Sequence, residues 1–224
     1  RKRSDVLNVA RFLHRSLMNE GGWAVAALRD VLNGQTGLLA PDGSDIFAGK
    51  FAYLAKSNIQ AEDLYRSILK AVFHVTAAGG LHLCDLRGHT GELGLKAAGA
   101  DDYFGVIYIG DTSAFKKLAE EDDSGIVLEE DAIMDSLFEG INAPDTTIEV
   151  LIGAKKFMEG WNSWRVSSMG LLNIGRKEGS SIIQLFGRGV RLRGREFSLK
   201  RSAALDGAHP AHLRLLETLN IFAV

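Results

Sequence analysis

The chain has 224 residues, enough for one large domain or a smaller domain with an appendage. Hydrophobic residues make up 46% and the formal net charge is −2, which excludes an intrinsically disordered chain and a globally basic nucleic-acid binder. The lone cysteine, Cys84, excludes an internal disulfide and fits a reducing, cytoplasmic compartment, and no apolar run approaches the ~20 residues that span a bilayer. No signal peptide is visible, and a start at Arg1 rather than Met reads as a fragment of a longer polypeptide.

Residues 1 to about 75 are expected to be mostly helical. Val6, Val9, Ala10, Leu13 and Leu17 recur at helical spacing, as do Trp23, Ala27, Leu28, Val31 and Leu32, with Gly21 and Gly22 between the two stretches. Asn33-Gly34 and Pro41-Asp42-Gly43-Ser44 mark turns. A third helix is expected over 61–73, with Leu64, Ile68, Leu69 and Val72 on one face. Gly79 and Gly80 then break the chain. Strands are expected over 81–86 and 92–96, joined as a hairpin through a loop containing Gly88 and Gly91. Residues 104–110 form a buried-strand type of run, and Asp111-Thr112-Ser113 caps a helix reaching about 121. A strand over 125–128, a helix over 132–138, and strands over 149–154 and 168–174 follow. Alternating strands and helices indicate an α/β fold with a mostly parallel sheet covered on both faces. The segment after Gly194 is basic and ends in a helical stretch over 211–219.

The most informative stretch is 181–194. Ser180 and Ser181 precede an apolar run, as at a capped helix start, and Ile182, Ile183, Leu185 and Phe186 supply apolar faces for burial. Gly187 and Gly189 flank Arg188, and Arg191 follows three residues on, so on a helical turn both guanidinium groups project from one side. The planar donor fork of arginine matches phosphate oxygens and suits charge developing on a transferring phosphoryl group. A solvated basic helix has a similar composition, but the pattern Gln184-x-x-Gly187-Arg188-x-x-Arg191 behind an apolar run points to the phosphate chemistry. Charge is also uneven here: Arg188, Arg191, Arg193, Arg195, Lys200 and Arg201 face Glu196 alone, balanced elsewhere by Glu120-Glu121-Asp122-Asp123 and Glu129-Glu130-Asp131.

Gln184-x-x-Gly187-Arg188-x-x-Arg191 resembles motif VI of superfamily 2 helicases. Upstream, Val150 to Asn162, ending Glu159-Gly160-Trp161-Asn162, is similar to their motif V. The wording of both blocks is most similar to the DEAD/DEAH-box helicases related to the helicase subunit of type III restriction enzymes. The resemblance is carried by residues 104–194. It implies a second RecA-like domain over 79–224, preceded by a mostly helical segment over 1–78, with ATP and Mg²⁺ held mainly by a first RecA-like domain of the same polypeptide. It also implies an ATP-dependent helicase or translocase acting on nucleic acid, DNA rather than RNA, with restriction or phage-defence subunits as further partners. By the same resemblance, Arg188 and Arg191 meet the γ-phosphate and Gln184 orients the nucleotide or the attacking water. Gly160, Asn162 and Gly187 belong to the nucleotide site. Lys155 and the motif IV-like Asp111, Thr112 and Ser113 face the nucleic-acid strand, where helix N-terminal N–H groups and hydroxyls bind phosphate.

Two departures stand out. Asn162 occupies a place where many relatives carry Asp, and Lys155 one where a threonine is usual. Asp111-Thr112-Ser113 also reads as an ordinary cap. Trp161 and Trp164 could stack on a base, but core packing is expected for both. His82, Cys84 and His89, and His209 with His212, lack a four-ligand zinc spacing, and no metal site is expected; burial accounts for Cys84. Gly43 to Phe51 is not a P-loop, because its spacing is wrong and no Ser or Thr follows Lys50. The chain alone is therefore expected to be inactive. The rival reading is a non-enzymatic RecA-like module that binds nucleic acid or a partner, which would keep its function without Arg188.

Overall fold

The computed structural model describes residues 2–132, 135–153, 162–172, 183–187, 194–210 and 213–223. The chain divides into two compact units, the first comprising Arg1–Phe138 and Thr147–Ile152, the second Glu139–Thr146 and Gly153–Val224. This division differs from a boundary at residue 78, because the opening helices share one core with the sheet.

In the first unit, α1 (Lys2–Met18) carries Asp5 in its first turn and Arg15 in its last, the polarity that the helix dipole favours. Val6, Leu7, Ala10, Leu13 and Leu17 form its buried stripe. Asn19 ends it in a left-handed conformation, and the Asn19 side-chain oxygen accepts the Ala24 N–H at 3.0 Å, capping α2 (Trp23–Asn33). The Pro41–Ser44 turn forms as expected, with the Ser44 N–H donated to Asp42 Oδ1 at 3.0 Å. A short helix that the sequence does not announce, α3 (Ala52–Lys56), follows it. In α4 (Ala61–Val72), the Tyr65 hydroxyl lies 2.9 Å and 3.0 Å from the Ser16 and Leu17 carbonyls, groups a helix end leaves without intrahelical partners.

The sheet contains β1 (Leu81–Leu86), β2 (Glu92–Ala97), β3 (Gly105–Tyr108), β4 (Val127–Asp131) and β5 (Val150–Gly153) in the order β4-β1-β2-β3-β5. The fold is α/β, as the sequence indicates. β1 and β2 form the expected antiparallel hairpin, and β2 and β3 are also antiparallel. β1 pairs in parallel with β4, so β4, β1 and β3 run the same way and β2 alone among these four runs against them. The sheet is mixed because the short loop between β1 and β2 permits only an antiparallel return.

Strand alternation sorts the two faces. Leu81, Leu83, Leu93, Leu95 and Ile107 pack with the buried stripes of α1 and α4 and with Phe115 of α5 (Ser113–Glu120). Each fully buried leucine contributes ~1.5–3 kcal/mol relative to exposure. Phe73 meets Phe104 edge-on with centroids 4.9 Å apart. His14 joins α1 to the start of β1 through its Nδ1, which accepts the Leu81 N–H at 3.1 Å. On the opposite face, the Tyr103 ring lies against Gly94, and Phe138 packs on Tyr108 with centroids 5.0 Å apart.

The helix expected over 132–138 does not extend through its described part: residues 135–138 are non-helical. Ser136 Oγ (2.5 Å) and the Phe138 N–H (3.3 Å) donate instead to the Glu92 carboxylate, which is only 4% exposed. A buried carboxylate requires such donors, and this requirement overrides local helical preference.

In the second unit, β6 (Ser168–Leu171) pairs in parallel with β7 (Asn220–Ala223). The helical stretch expected over 211–219 is described as Leu213–Leu216 only, with β7 taking up the end of the chain. Residues 183–187 are helical. No described helix is long and apolar enough to cross a membrane.

Candidate functional site

The β3–α5 junction lies where the carboxyl ends of parallel strands leave a sheet, the usual place for ligands in open α/β folds. The Ile109 N–H donates to the Gly91 carbonyl at 3.1 Å, which brings Gly91 so close to Gly110 that a Cβ would lie 2.7 Å from its carbonyl oxygen. Gly91 also has φ +96°, a conformation that glycine tolerates. Asp111, Thr112 and Ser113 follow. Asp111 Oδ1 accepts the Ser113 N–H at 3.0 Å, so it acts as the cap, while Thr112 makes no side-chain cap bond. Asp111 thereby places a carboxylate at a helix start proposed for phosphate. Further along α5, Lys116 pairs with Asp85. That cation therefore already has an anionic partner within the unit.

Of the motif V-like residues, Gly160 and Lys155 lie outside the described residues, as does Trp161. Asn162 is described and exposed. Its main-chain carbonyl accepts a hydrogen bond from Asn142 Nδ2 at 2.6 Å. Ser163 follows, 4% exposed, and its hydroxyl accepts the Arg165 N–H at 3.2 Å. Arg165 Nη1 donates to the Ile141 carbonyl at 3.1 Å. Trp164, expected in the core, is 43% exposed, because the bend at this residue buries its neighbour Ser163 instead.

Of the motif VI-like residues, Arg188 and Arg191 lie outside the described residues. Gln184 and Gly187 are on the helical turn 183–187 and are exposed, and a Cβ at Gly187 would meet nothing within 4 Å. The apolar faces expected to be buried are uneven: Leu185 and Phe186 are half-buried, whereas Ile183 is 71% exposed. A single described turn presents its residues to all sides, so one of the three must point away from any one support.

On the face of the sheet opposite α1, α4 and α5 lies a polar cluster that joins His82 and Cys84 to partners distant in sequence. His82 Nδ1 lies 2.7 Å from Glu129 Oε1, Cys84 Sγ lies 3.8 Å from Glu129 Oε2, and the Tyr103 hydroxyl donates to Asp131. Lys96 Nζ lies 5.6 Å from the Tyr103 ring centroid. Burial pushes the Cys84 thiol up to about 11, so at neutral pH it is protonated and a poor nucleophile. Burial, then the bond to Asp131, pushes the Tyr103 phenol up as well. Among the described residues, no three His, Cys, Asp or Glu side chains gather as metal ligands. The signal for this cluster was the pairing of His82-x-Cys84 with Glu129-x-Asp131 at period two, which becomes visible only once β1 and β4 are known to be neighbours.

No protein-family model, curated protein or solved structure matches the chain.

Proposed function

We propose that this chain supplies the motif V and motif VI half of an ATP-dependent superfamily 2 helicase or translocase acting on DNA. The observation that carries the reading is the ordered pair of motifs, Glu159-Gly160-Trp161-Asn162 and then Gln184-x-x-Gly187-Arg188-x-x-Arg191, downstream of an α/β sheet. In this reading, ATP and Mg²⁺ are held mainly by a first RecA-like domain of the same polypeptide. Arg188 and Arg191 reach the γ-phosphate and stabilise charge that grows as the phosphoryl group transfers. Gln184 orients the nucleotide or the attacking water. Gly160, Asn162 and Gly187 line the nucleotide site, and Lys155 with Asp111, Thr112 and Ser113 faces the DNA strand. Restriction or phage-defence subunits are the further partners of this reading, and its compartment is the cytoplasm.

The test is phosphate release. The intact enzyme is expected to hydrolyse ATP faster when DNA is added, whereas the 224-residue chain releases no phosphate and binds DNA weakly, losing it as salt rises. An intact enzyme without DNA-stimulated hydrolysis contradicts the reading, as does phosphate release by the chain alone.

A further inference from the structure

The short turn Glu139–Asn142 and the stretch 162–165 belong to the same compact unit, although β5 and the beginning of motif V lie between them in sequence. Two hydrogen bonds join them, one in each direction. Asn142 donates its side-chain amide to the Asn162 carbonyl at 2.6 Å, and Arg165 donates its guanidinium to the Ile141 carbonyl at 3.1 Å. Ile141 is 5% exposed and Ser163 4%, so a buried residue anchors each side. The two bonds hold the stretch that leaves motif V at residues 162 and 165, three positions apart, and so fix both the location and the direction of that stretch.

We propose that Asn142 and Arg165 form a positioning clamp that sets the backbone at Asn162, so that the turn 139–142 tunes how nucleic acid stimulates hydrolysis. The catalytic half of this proposal rests on the helicase reading; the clamp itself rests on the hydrogen bonds alone. Asn142 acts through the main chain of Asn162 and touches no reacting atom. Its amide nitrogen must be a donor, so Asn142→Asp, nearly the same size, removes the bond and sets a carboxylate against a carbonyl oxygen.

The experiment has two arms. Hydrogen exchange on the 224-residue chain compares wild type with Asn142→Asp and Asn142→Ala. Both variants are expected to speed exchange over 162–166 by about three- to tenfold, the effect of losing one ordinary hydrogen bond. Exchange over the hairpin 81–97, in the other unit, should stay unchanged. Unchanged exchange over 162–166 in both variants overturns the clamp. If Asn142→Asp unfolds, Asn142→Ala and Arg165→Met carry the same comparison. The second arm measures, in the intact enzyme, the ratio of ATP hydrolysis with and without a DNA duplex carrying a single-stranded tail. Partial unfolding lowers both rates together and leaves this ratio alone, whereas a mispositioned loop lowers it, here by about threefold or more, and Asn142→Gln should restore part of it. Faster exchange with an unchanged ratio reduces the clamp to a structural contact and overturns its positioning role. A wild-type enzyme showing no stimulation ends the helicase reading and the catalytic half of this proposal, while the exchange arm still decides the clamp.

Discussion

His14 shows how one side chain couples a helix to a sheet. Its Nδ1 accepts the Leu81 N–H, a role open only to the neutral ring, and burial lowers its pKa against the opposing pull of Glu20 and Asp122. With its folded value below the ordinary ~6.5, the folded chain binds fewer protons than the unfolded chain in the window between them. The contribution is therefore complete above about 6.5 and is lost as pH falls through the lowered value. Urea midpoints taken between pH 7.5 and 5.5 should fall more steeply in wild type than in His14→Asn, which cannot titrate; parallel slopes contradict the assignment. Gly94 makes a second single-residue case. The Tyr103 ring occupies the space a side chain would need, well inside van der Waals contact. Gly94→Ala should destabilise the chain by ~1–3 kcal/mol through overpacking, read as a lower midpoint in denaturant. A midpoint equal to wild type would show that the ring moves aside freely.

At the scale of elements, periodicity announced what periodicity controls. The stripe of α1, the hairpin 81–97 and the β3–α5 junction all stand where apolar spacing and turn residues put them. Three kinds of element were illegible for physical reasons. β7 is fixed by its ladder with β6, a partner about fifty positions away that single-sequence patterning cannot supply. The polar cluster of His82, Cys84, Glu129 and Asp131 needs the β1–β4 pairing before its members are neighbours. Residues 135–138 follow Glu92 rather than their own helical preference. That last case is testable. Glu92→Ala removes the charged acceptor of two hydrogen bonds, from Ser136 Oγ and from the Phe138 N–H, each worth ~1.5–3 kcal/mol. The variant should lose stability in denaturant by an amount in that range, and exchange should rise over 135–138. Unchanged protection there would mean that other contacts hold the segment.

For the molecule as a whole, the two motif blocks that suggest a function and the sheet that describes the fold lie mostly in different compact units. Hydrophobic patterning spoke well for the first unit because its core is one continuous set of strand and helix faces. It spoke less well for the second, where Trp164 and Ile183 are exposed against expectation. The phosphate-directed roles proposed for Arg188 and Arg191 rest on spacing and resemblance alone, since both lie outside the described residues. Single-turnover ATP hydrolysis by the intact enzyme carrying Arg188→Ala tests that assignment directly. An arginine that meets charge developing in the transition state affects rate more than ground-state binding. The variant is expected to bind ATP nearly as wild type does but to hydrolyse it about 10³-fold more slowly, or somewhat less given a cleft that opens and closes, and Arg188→Lys should not restore the full rate. A folded Arg188→Ala enzyme that hydrolyses bound ATP at the wild-type rate contradicts the account.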